Sequence, residues 1–498
     1  MPPLTLPDFD QRDADDPSLA HRAITLAVFA PLDKEMSHYP TQRGLLPDIN
    51  ASDVVLRLFE VSKKNVHVAA LIDRTENCSW QIDIPPNGPM KVTRLDKVDN
   101  MSDPKHLGNL VYRAMVADTS AQIVLCLEGH GAGYFPDIDA NRLTEQAMAS
   151  LNQSGVVRWQ LPNEPITPDG RPILPMTHPV SNVTPAIVAS KQMMSTWGIG
   201  DALEYARARP DVEKRKIAVI HFNNCFNMAV EVLHTVAPHA HYAVGYMNYN
   251  FFSACESYPA VFEALRAMSN PRVSDLAALF AEHNRLTLKP RSADDNNENP
   301  TTGAVIALRR MPSIAEAINA FAQQLIDALP KNVQLIQKCI EASQQYDTGG
   351  DGSSSPRREW ALEVPDQLTD IRHFAKLVSE RAKSIPNLVA AAHILYKALE
   401  GIKQYGEKGK PWVGGGAYWS FKDTPLAMNI FCPDPSRTGL WDWRAPYYLL
   451  GNEPTLLNVI PFLASNAWVQ FIIEYHRNVP FIKYLPIEIA RYPMKKMH

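Results

Sequence analysis

The fold is decided by the stretch Lys-Ile-Ala-Val-Ile-His-Phe-Asn-Asn-Cys-Phe-Asn-Met at residues 216–228. Its apolar run predicts a buried strand, which ends in two asparagines and Cys225. A helix-compatible run follows as far as Val236. A strand, a tight turn and a helix in this order present side chains at the carboxyl edge of a parallel sheet. We therefore predict that Cys225 lies at such an edge.

A second predicted strand end lies upstream, in Ile-Val-Leu-Cys-Leu-Glu-Gly-His-Gly-Ala-Gly-Tyr at residues 123–134. This apolar run leads to His130, which has a glycine on either side. Neighbouring strand ends of a parallel sheet bring together residues that are distant in the sequence. A cysteine at one strand end and a histidine at another are typical of a Cys–His hydrolase.

The first half of the chain alternates between predicted strands and helices, which favours a parallel sheet covered by helices on both faces. The predicted organisation is a flexible leader at 1–21, a main domain at 22–290, and a more helical C-terminal region with short strands at 291–498. Residues 140–195 break the alternation and are rich in proline, asparagine and threonine. Loops of this length are usually functional or disordered, so we interpret 140–195 as an insertion at the edge of the site.

Composition argues against several classes of function. The 498 residues carry 49 basic and 53 acidic side chains, a net charge of -4. No arginine- or lysine-rich stripe is present, which argues against a nucleic-acid partner. No apolar stretch is long enough to span a membrane and no secretory signal is visible, so the expected location is the cytoplasm, with no membrane partner. The six cysteines have no CxxC spacing, which disfavours a thiolate metal site and favours free thiols.

In their order along the chain, the motifs resemble those of the clostripain-like cysteine peptidases, which belong to the caspase-like clan. The histidine motif at 130–134 is similar to the family's His-Gly-Gly-Gly-Trp. The cysteine motif at 223–232 is similar to its Asp-Ala-Cys-Leu-Met with a following Glu-Val pair. The resemblance covers about residue 22 to about residue 475. Further segments resemble family elements: 24–29 with Asp33, 68–74, 101–107, 303–308 and 426–433.

This resemblance implies a caspase-like three-layer α/β sandwich with a mostly parallel sheet. It also implies a cysteine endopeptidase that hydrolyses peptide bonds of a protein or peptide substrate through a thioester intermediate. Cys225 would be the nucleophile, and His130 would protonate the leaving amine and later activate water. Gly131 and the backbone N–H of Cys225 would stabilise the oxyanion. No cofactor is expected.

Three departures from the family pattern lie at the motifs. Asn223 replaces the usual aspartate two residues before the cysteine, Glu128 replaces the usual tryptophan two before the histidine, and Gly129 replaces an aspartate. In Arg- or Lys-specific relatives that aspartate pairs with the basic side chain before the scissile bond, the P1 residue. An amide supplies no such charge, so we predict a P1 preference that is not simply basic.

Further candidate substrate-binding residues are Asn223 and Glu128 themselves, together with Tyr246 and Asn248 at the end of the next predicted strand. The alternative for Asn223 is a cap on the following helix. The acid that Asn223 lacks could instead come from elsewhere, which leaves an Arg- or Lys-specific peptidase as an alternative. The candidates for such a relocated acid are Asp137, Asp139, Glu128 and Glu256.

The sequence is also compatible with a catalytically inactive caspase-like binding or scaffold protein, in which Cys225 is a structural cysteine and His130 a loop histidine. Asp137 and Asp139 could bind calcium, which some relatives need, although two carboxylates are few for such a site. Relatives are often self-cleaved between the histidine and the cysteine, so the resemblance also implies 140–195 as a processing loop. A latent form or an activating protein partner is a further expectation.

Overall fold

In a computed structural model, a nine-stranded sheet runs through the middle of the chain. The structure describes residues 16–31, 53–75, 78–96, 101, 103–129, 131, 133–135, 194–212, 214–248, 250, 255–288, 301–346, 368–406, 411–414, 417–432, 448 and 459–478.

The strands of the central sheet are β1 (Ile24–Pro31), β2 (Val66–Thr75), β3 (Cys78–Ile84), β4 (Lys91–Asp96), β5 (Gln122–Glu128), β6 (Ile217–Asn223), β7 (Ala240–Tyr246), β8 (Thr302–Ala307) and β10 (Lys403–Gly406). Their order in the sheet is β10-β8-β7-β6-β5-β1-β2-β3-β4. The middle strands β7, β6, β5, β1 and β2 are parallel, and two antiparallel strands extend each edge.

Two small antiparallel sheets lie in the second half of the chain. One pairs β9 (Leu368–Asp370) with β13 (Asn429–Phe431), and the other pairs β11 (Pro411–Gly414) with β12 (Ala417–Ser420). The first of these small sheets is close to the central one, because an isolated parallel bridge joins Asn429 to Ala229.

Helices cover the sheet on both faces. They are α1 (Asp53–Ser62), α2 (Pro104–Ala117), α3 (Thr196–Arg207), α4 (Val230–Val236), α5 (Tyr258–Arg266), α6 (Val273–Leu288), α7 (Met311–Ala342), α8 (Ile371–Arg381), α9 (Pro386–Ala398), α10 (Pro461–Ser465) and α11 (Trp468–Asn478). None of the helices in the described part of the chain is both long and apolar enough to cross a membrane.

The central strands are apolar along their whole length because both of their faces are buried. One face carries Leu26, Val124 and Val219, which pack with α1, α5 and α6. The opposite face carries Leu125 and Ile220, which pack with α2, α3, α4 and the helices of the C-terminal region. The result is the predicted three-layer sandwich with a more helical C-terminal region, and the fold prediction is confirmed.

The boundary drawn at residue 290 does not divide the sheet. Strands β8 and β10 follow that boundary in the sequence, yet they form one edge of the central sheet next to β7. The C-terminal region is therefore joined to the main domain by backbone hydrogen bonds as well as by packing.

The end of the expected flexible leader is held in place. Asp16 is buried, and its carboxylate accepts hydrogen bonds from Ser274 Oγ at 2.5 Å and Ser274 N at 3.2 Å. Leu19 N donates to Pro271 O at 2.8 Å. These contacts fix residues 16–21 on the start of α6, which the acidic and proline-rich composition of this segment does not predict. Residues 1–15 lie outside the described residues, as does the predicted insertion up to residue 193.

Candidate active site

The two motifs meet at the carboxyl ends of adjacent parallel strands. Strand β5 pairs with β6 in a register that sets Glu128 opposite Asn223. Cys225 follows two residues after the end of β6, in the short segment 224–228 that we call the cysteine loop. Cys225 is partly exposed, whereas the other cysteines whose side chains are described are buried: Cys126, Cys255, Cys339 and Cys432.

Gly131 of the histidine motif lies directly against the cysteine loop. A Cβ atom built on Gly131 would stand 2.2 Å from Cys225 O and 3.0 Å from Cys225 N. Only glycine permits this approach, because any side chain would overlap the Cys225 backbone. The structure therefore brings together the two residues proposed as oxyanion donors. His130, one residue earlier, lies outside the described residues, so its predicted role stays a prediction.

The backbone of the cysteine loop is held from one side by the end of β7. Phe226 has a positive φ of 61°, a conformation that costs a non-glycine residue about 1–3 kcal/mol. Phe226 N donates to Asn248 O at 3.1 Å, and Met228 N donates to Tyr246 O at 3.0 Å. These hydrogen bonds help to offset the strain and fix the peptide that follows Cys225.

Asn223 is the centre of a buried polar network. Its Nδ2 donates to both carboxylate oxygens of Glu128, at 3.0 and 2.9 Å. Its Oδ1 accepts from Asn250 Nδ2 at 3.0 Å and from Asn284 Nδ2 at 2.8 Å. Both atoms of the amide are thus engaged by protein groups, and Asn223 is fully buried. No interaction of its side chain with the following helix is needed to explain this residue.

Glu128 faces the same network from β5. Its side chain is 2% exposed, and Tyr258 donates its hydroxyl proton to Oε1. Burial raises the pKa of Glu128 to about 7, against the lowering effect of hydrogen bonds from Tyr258, Asn223 and Cys255. Glu128 is therefore partly protonated at neutral pH, and its carboxylate oxygens already have donors within the protein.

The network reaches the candidate nucleophile through Asn250. Cys225 Sγ donates to Asn250 Oδ1 at 3.7 Å, and Asn250 is 1% exposed. Asn250 and Asn284 are not among the residues predicted from the sequence. Asn250 lies two residues beyond the predicted Asn248, in a loop rich in polar residues, but Asn284 comes from the middle of α6 and has no local signal.

Tyr246 and Asn248, predicted to bind substrate, are both buried. Tyr246 OH accepts from Asn284 Nδ2 at 2.8 Å, and Asn248 Oδ1 accepts from Thr302 N at 3.0 Å. These contacts join β7 to α6 and to β8. Both residues lie next to the cysteine loop, and a direct role in substrate binding stays a prediction.

Two further polar residues are described near the site, Glu256 and His221, and His221 Nδ1 lies 3.2 Å from the Tyr258 hydroxyl that donates to Glu128. Among the candidates for a relocated acid, Glu256 forms an ion pair with Arg57 at 3.6 Å, while Asp137 and Asp139 lie outside the described residues. His221 is fully buried against Tyr258 and Phe280, and burial lowers its pKa to about 3. His221 is therefore a neutral core residue on the face of α5 and α6. Within the described ranges, no three His, Cys, Asp or Glu side chains are grouped to hold a metal ion.

A pocket opens beside the cysteine loop on the face of α2 and α3. Asn224, Asn227 and Gly131 form its polar wall, and most of the remainder is apolar: Phe29, Leu107, Leu127, Phe135, Met194 and Ile199. Glu128 is the one ionisable side chain among the described residues that line it. The described lining of this pocket is therefore mostly neutral.

Comparison with solved structures places this architecture among the C11, or clostripain-like, cysteine proteases. A C11 cysteine protease from Bacteroides thetaiotaomicron, described as secreted and in complex with an irreversible peptide inhibitor, is 13% identical with a TM-score of 0.50. The match covers 82% of this chain and 92% of that chain.

A C11 protease from Parabacteroides distasonis, described as an inactive zymogen, is 12% identical with a TM-score of 0.50. That match covers 83% of this chain and 92% of the other. No protein-family model and no curated protein matches the chain. At this level of identity the similarity shows the fold, and it confirms the predicted resemblance to the clostripain-like peptidases as a resemblance of fold.

Proposed function

We propose that the protein is a cysteine endopeptidase that uses Cys225 as nucleophile and His130 as acid/base. The observation that carries the proposal is the contact of Gly131 with the Cys225 backbone, at a strand edge of the C11 protease fold. The thiolate of Cys225 attacks the scissile carbonyl and forms a carbon–sulfur bond. The carbon–nitrogen bond then breaks, the amine leaves with a proton from His130, and a thioester remains. Water, deprotonated by His130, then releases the acid.

The oxyanion of each tetrahedral intermediate would lie near the backbone N–H groups of Gly131 and Cys225. Loss of one preorganised donor of this kind lowers the rate roughly 10²–10³-fold. The strained peptide at Phe226 and its hydrogen bond to Asn248 support the proposal, because they keep the backbone next to Cys225 in one conformation.

For the P1 side chain we propose a neutral rather than a basic preference. Asn223 occupies the position of the usual aspartate, and its amide is engaged by Glu128, Asn250 and Asn284. For Glu128 to act as a relocated acid, a substrate cation would have to displace hydrogen bonds from Tyr258 and Asn223.

A panel of fluorogenic peptides that differ only at P1 tests this preference. We expect peptides ending in Leu or Asn to be cleaved with higher kcat/KM than those ending in Arg or Lys, and Cys225→Ala protein to cleave none. A strong preference for Arg would refute the neutral pocket and favour a peptidase with a relocated acid.

Latency and self-processing are part of the same proposal. One of the neighbours is described as an inactive zymogen, which supports a latent form of this protein as well. The proposed processing segment is 140–195, and an activating protein partner is the other route to the active form. Intact-mass analysis distinguishes the two: two chains in wild type but one in Cys225→Ala protein would indicate self-cleavage.

Location and cofactors remain predictions. The protein is proposed to act on protein or peptide substrates in the cytoplasm, without a nucleic-acid or membrane partner. The Bacteroides thetaiotaomicron neighbour is described as secreted, so the location needs its own measurement, such as fractionation of the source cells. The proposed mechanism needs no cofactor, and activity in a calcium chelator tests whether calcium is required.

A further inference from the structure

Asn429, from the C-terminal region, contacts the cysteine loop. It is the first residue of β13 and is fully buried. Its Nδ2 donates to Phe226 O at 2.8 Å and to Met247 O at 3.0 Å. Its backbone N donates to Met228 O at 2.9 Å. One side chain thus joins the loop that carries Cys225 to the loop that follows β7.

The same side chain also lies beside the histidine motif. A Cβ atom built on Gly133 would stand 3.5 Å from Asn429 Oδ1. Among the residues that the structure describes, this buried oxygen has no hydrogen-bond partner. Asn429 therefore touches all three loops that carry the proposed site, namely those of the histidine motif, the cysteine loop and the end of β7.

Strand β13 is itself held rigidly, which lets Asn429 act as a fixed support. Its other end is bound through Phe431, whose N donates to Glu231 Oε1 at 3.0 Å and whose O accepts from Trp468 Nε1 at 3.0 Å. Its partner strand β9 ends in Asp370, whose Oδ2 accepts from Tyr346 OH at 2.7 Å and from Ala427 N at 2.9 Å. Glu231 lies in α4, the helix that follows the cysteine loop, so the loop and this helix are both tied to β13.

We propose that Asn429 is a positioning residue for the Cys225 nucleophile, because its two side-chain hydrogen bonds join the strained peptide at Phe226 to Met247 in the loop that follows β7. The inference rests on the proposed function, and it extends the active site into the C-terminal region. Phe226 has a positive φ of 61°, so its carbonyl needs donors to hold this orientation. A displacement of about 1 Å at a reacting atom can cost about 10²-fold in rate.

The test replaces Asn429 by leucine, which keeps the approximate volume and removes both donors. We expect kcat to fall about 100-fold with KM changed less than about threefold, because the loop that presents Cys225 relaxes while the substrate pocket remains. Hydrogen exchange should accelerate at the amides of Phe226 and Met228. Asn429→Ser, which is smaller and keeps one donor, should lose about tenfold in kcat and carries the test if the leucine variant does not fold.

The matched control is Thr369→Val, on the neighbouring strand β9. Thr369 is also fully buried and donates to Gln345 Oε1 at 3.0 Å, but it makes no hydrogen bond to the cysteine loop. The thermal stability of Thr369→Val should fall about as much as that of Asn429→Leu, while its kcat and its hydrogen exchange at residues 223–233 should stay as in wild type. Equal losses of kcat in the two variants, in proportion to the unfolded fraction, would overturn the inference, as would an Asn429 variant with wild-type kcat.

The exchange measurement separates this inference from the proposed function. If wild type hydrolyses no peptide even in its processed form, the peptidase proposal fails. Faster hydrogen exchange at residues 223–233 in Asn429→Leu but not in Thr369→Val would still show that Asn429 fixes the cysteine loop. Unchanged exchange at 223–233 would overturn the inference whatever the activity of the wild-type protein.

Discussion

Replacing Glu128 by glutamine should remove a pH dependence of stability that the buried carboxyl group creates. Glu128 is 2% exposed and receives hydrogen bonds from Tyr258 and Asn223. Burial raises its pKa from 4.5 to about 7. In the unfolded chain the same group ionises at the lower value, so rising pH favours the unfolded state.

The size of the effect follows from the shift. A difference of about 2.5 pKa units lowers the free energy of unfolding by about 3 kcal/mol when the pH is well above 7, and by almost nothing below about pH 4.5. A raised acid is thus most favourable to folding at low pH and loses that benefit as the pH rises through 7. When the pH falls from about 8 to about 5, the free energy of unfolding of wild type should rise by about 2–3 kcal/mol relative to that of Glu128→Gln.

Urea unfolding of both proteins across this pH range gives the difference directly. Other buried groups also titrate, because burial lowers the pKa of His221 to about 3 and of His373 to about 4, and raises that of Asp370 to about 6. Both proteins share these groups, so they cancel in the difference. A difference that stays flat within about 0.5 kcal/mol, or that changes in the opposite direction, would refute the reasoning.

Three further substitutions test the site. Asn223→Asp should lower the free energy of unfolding by about 2–4 kcal/mol near neutral pH, because the new carboxylate faces that of Glu128 across contacts of 3.0 and 2.9 Å. Urea unfolding should show that adding Glu128→Gln recovers most of this stability. Gly131→Ala should lower kcat/KM at least about 100-fold in steady-state assays, because the alanine Cβ would overlap Cys225 O. A smaller loss would mean that the histidine motif and the cysteine loop can separate without loss of function. Asn250→Ala should raise the alkylation rate of Cys225 about two- to fivefold, because the Asn250 acceptor stabilises the protonated thiol; a slower rate would contradict this role.

The fold is largely predictable because local rules and burial agree in the first half of the chain. The apolar runs at 24–29 and 217–222 predict strands, since parallel strands in the middle of a sheet are buried on both faces. Asp103 and Pro104 predict the start of α2, and Asp103 indeed accepts from Lys105 N at 2.9 Å. The pattern at about 368–403 predicts a helical stretch that is interrupted near Pro386, and Pro386 begins α9.

What the sequence does not indicate depends on contacts between distant residues. Asn284 lies in the middle of α6 and Asn429 in a short strand, and each meets the site only through the tertiary fold. The apolar residues at 426–431 predict a strand, but the strand is shorter and begins at Asn429, where pairing with β9 starts. Strand β10 lies at the end of a stretch that is predicted to be helical, because its pairing with β8 has no local signature.

The site itself is predictable as a pair of strand ends but not as a network. Cys225 and Gly131 are indicated by their motifs, and the structure sets them side by side. The replacement of aspartate by Asn223 is visible in the sequence, yet its bond to Glu128 is not, because the two departures lie 95 residues apart. Together they form one amide–carboxylate pair.

The most direct test of the central claim is labelling of the cysteines with a peptidyl acyloxymethyl ketone, followed by mass spectrometry, in wild type and in His130→Ala. We expect Cys225 to be modified selectively in wild type, and this modification to be lost in His130→Ala. Iodoacetamide should still reach Cys225 in both proteins, which controls for exposure. Equal labelling of Cys225 by the peptidyl reagent in both proteins, or faster labelling of a different cysteine, would contradict the Cys225–His130 dyad.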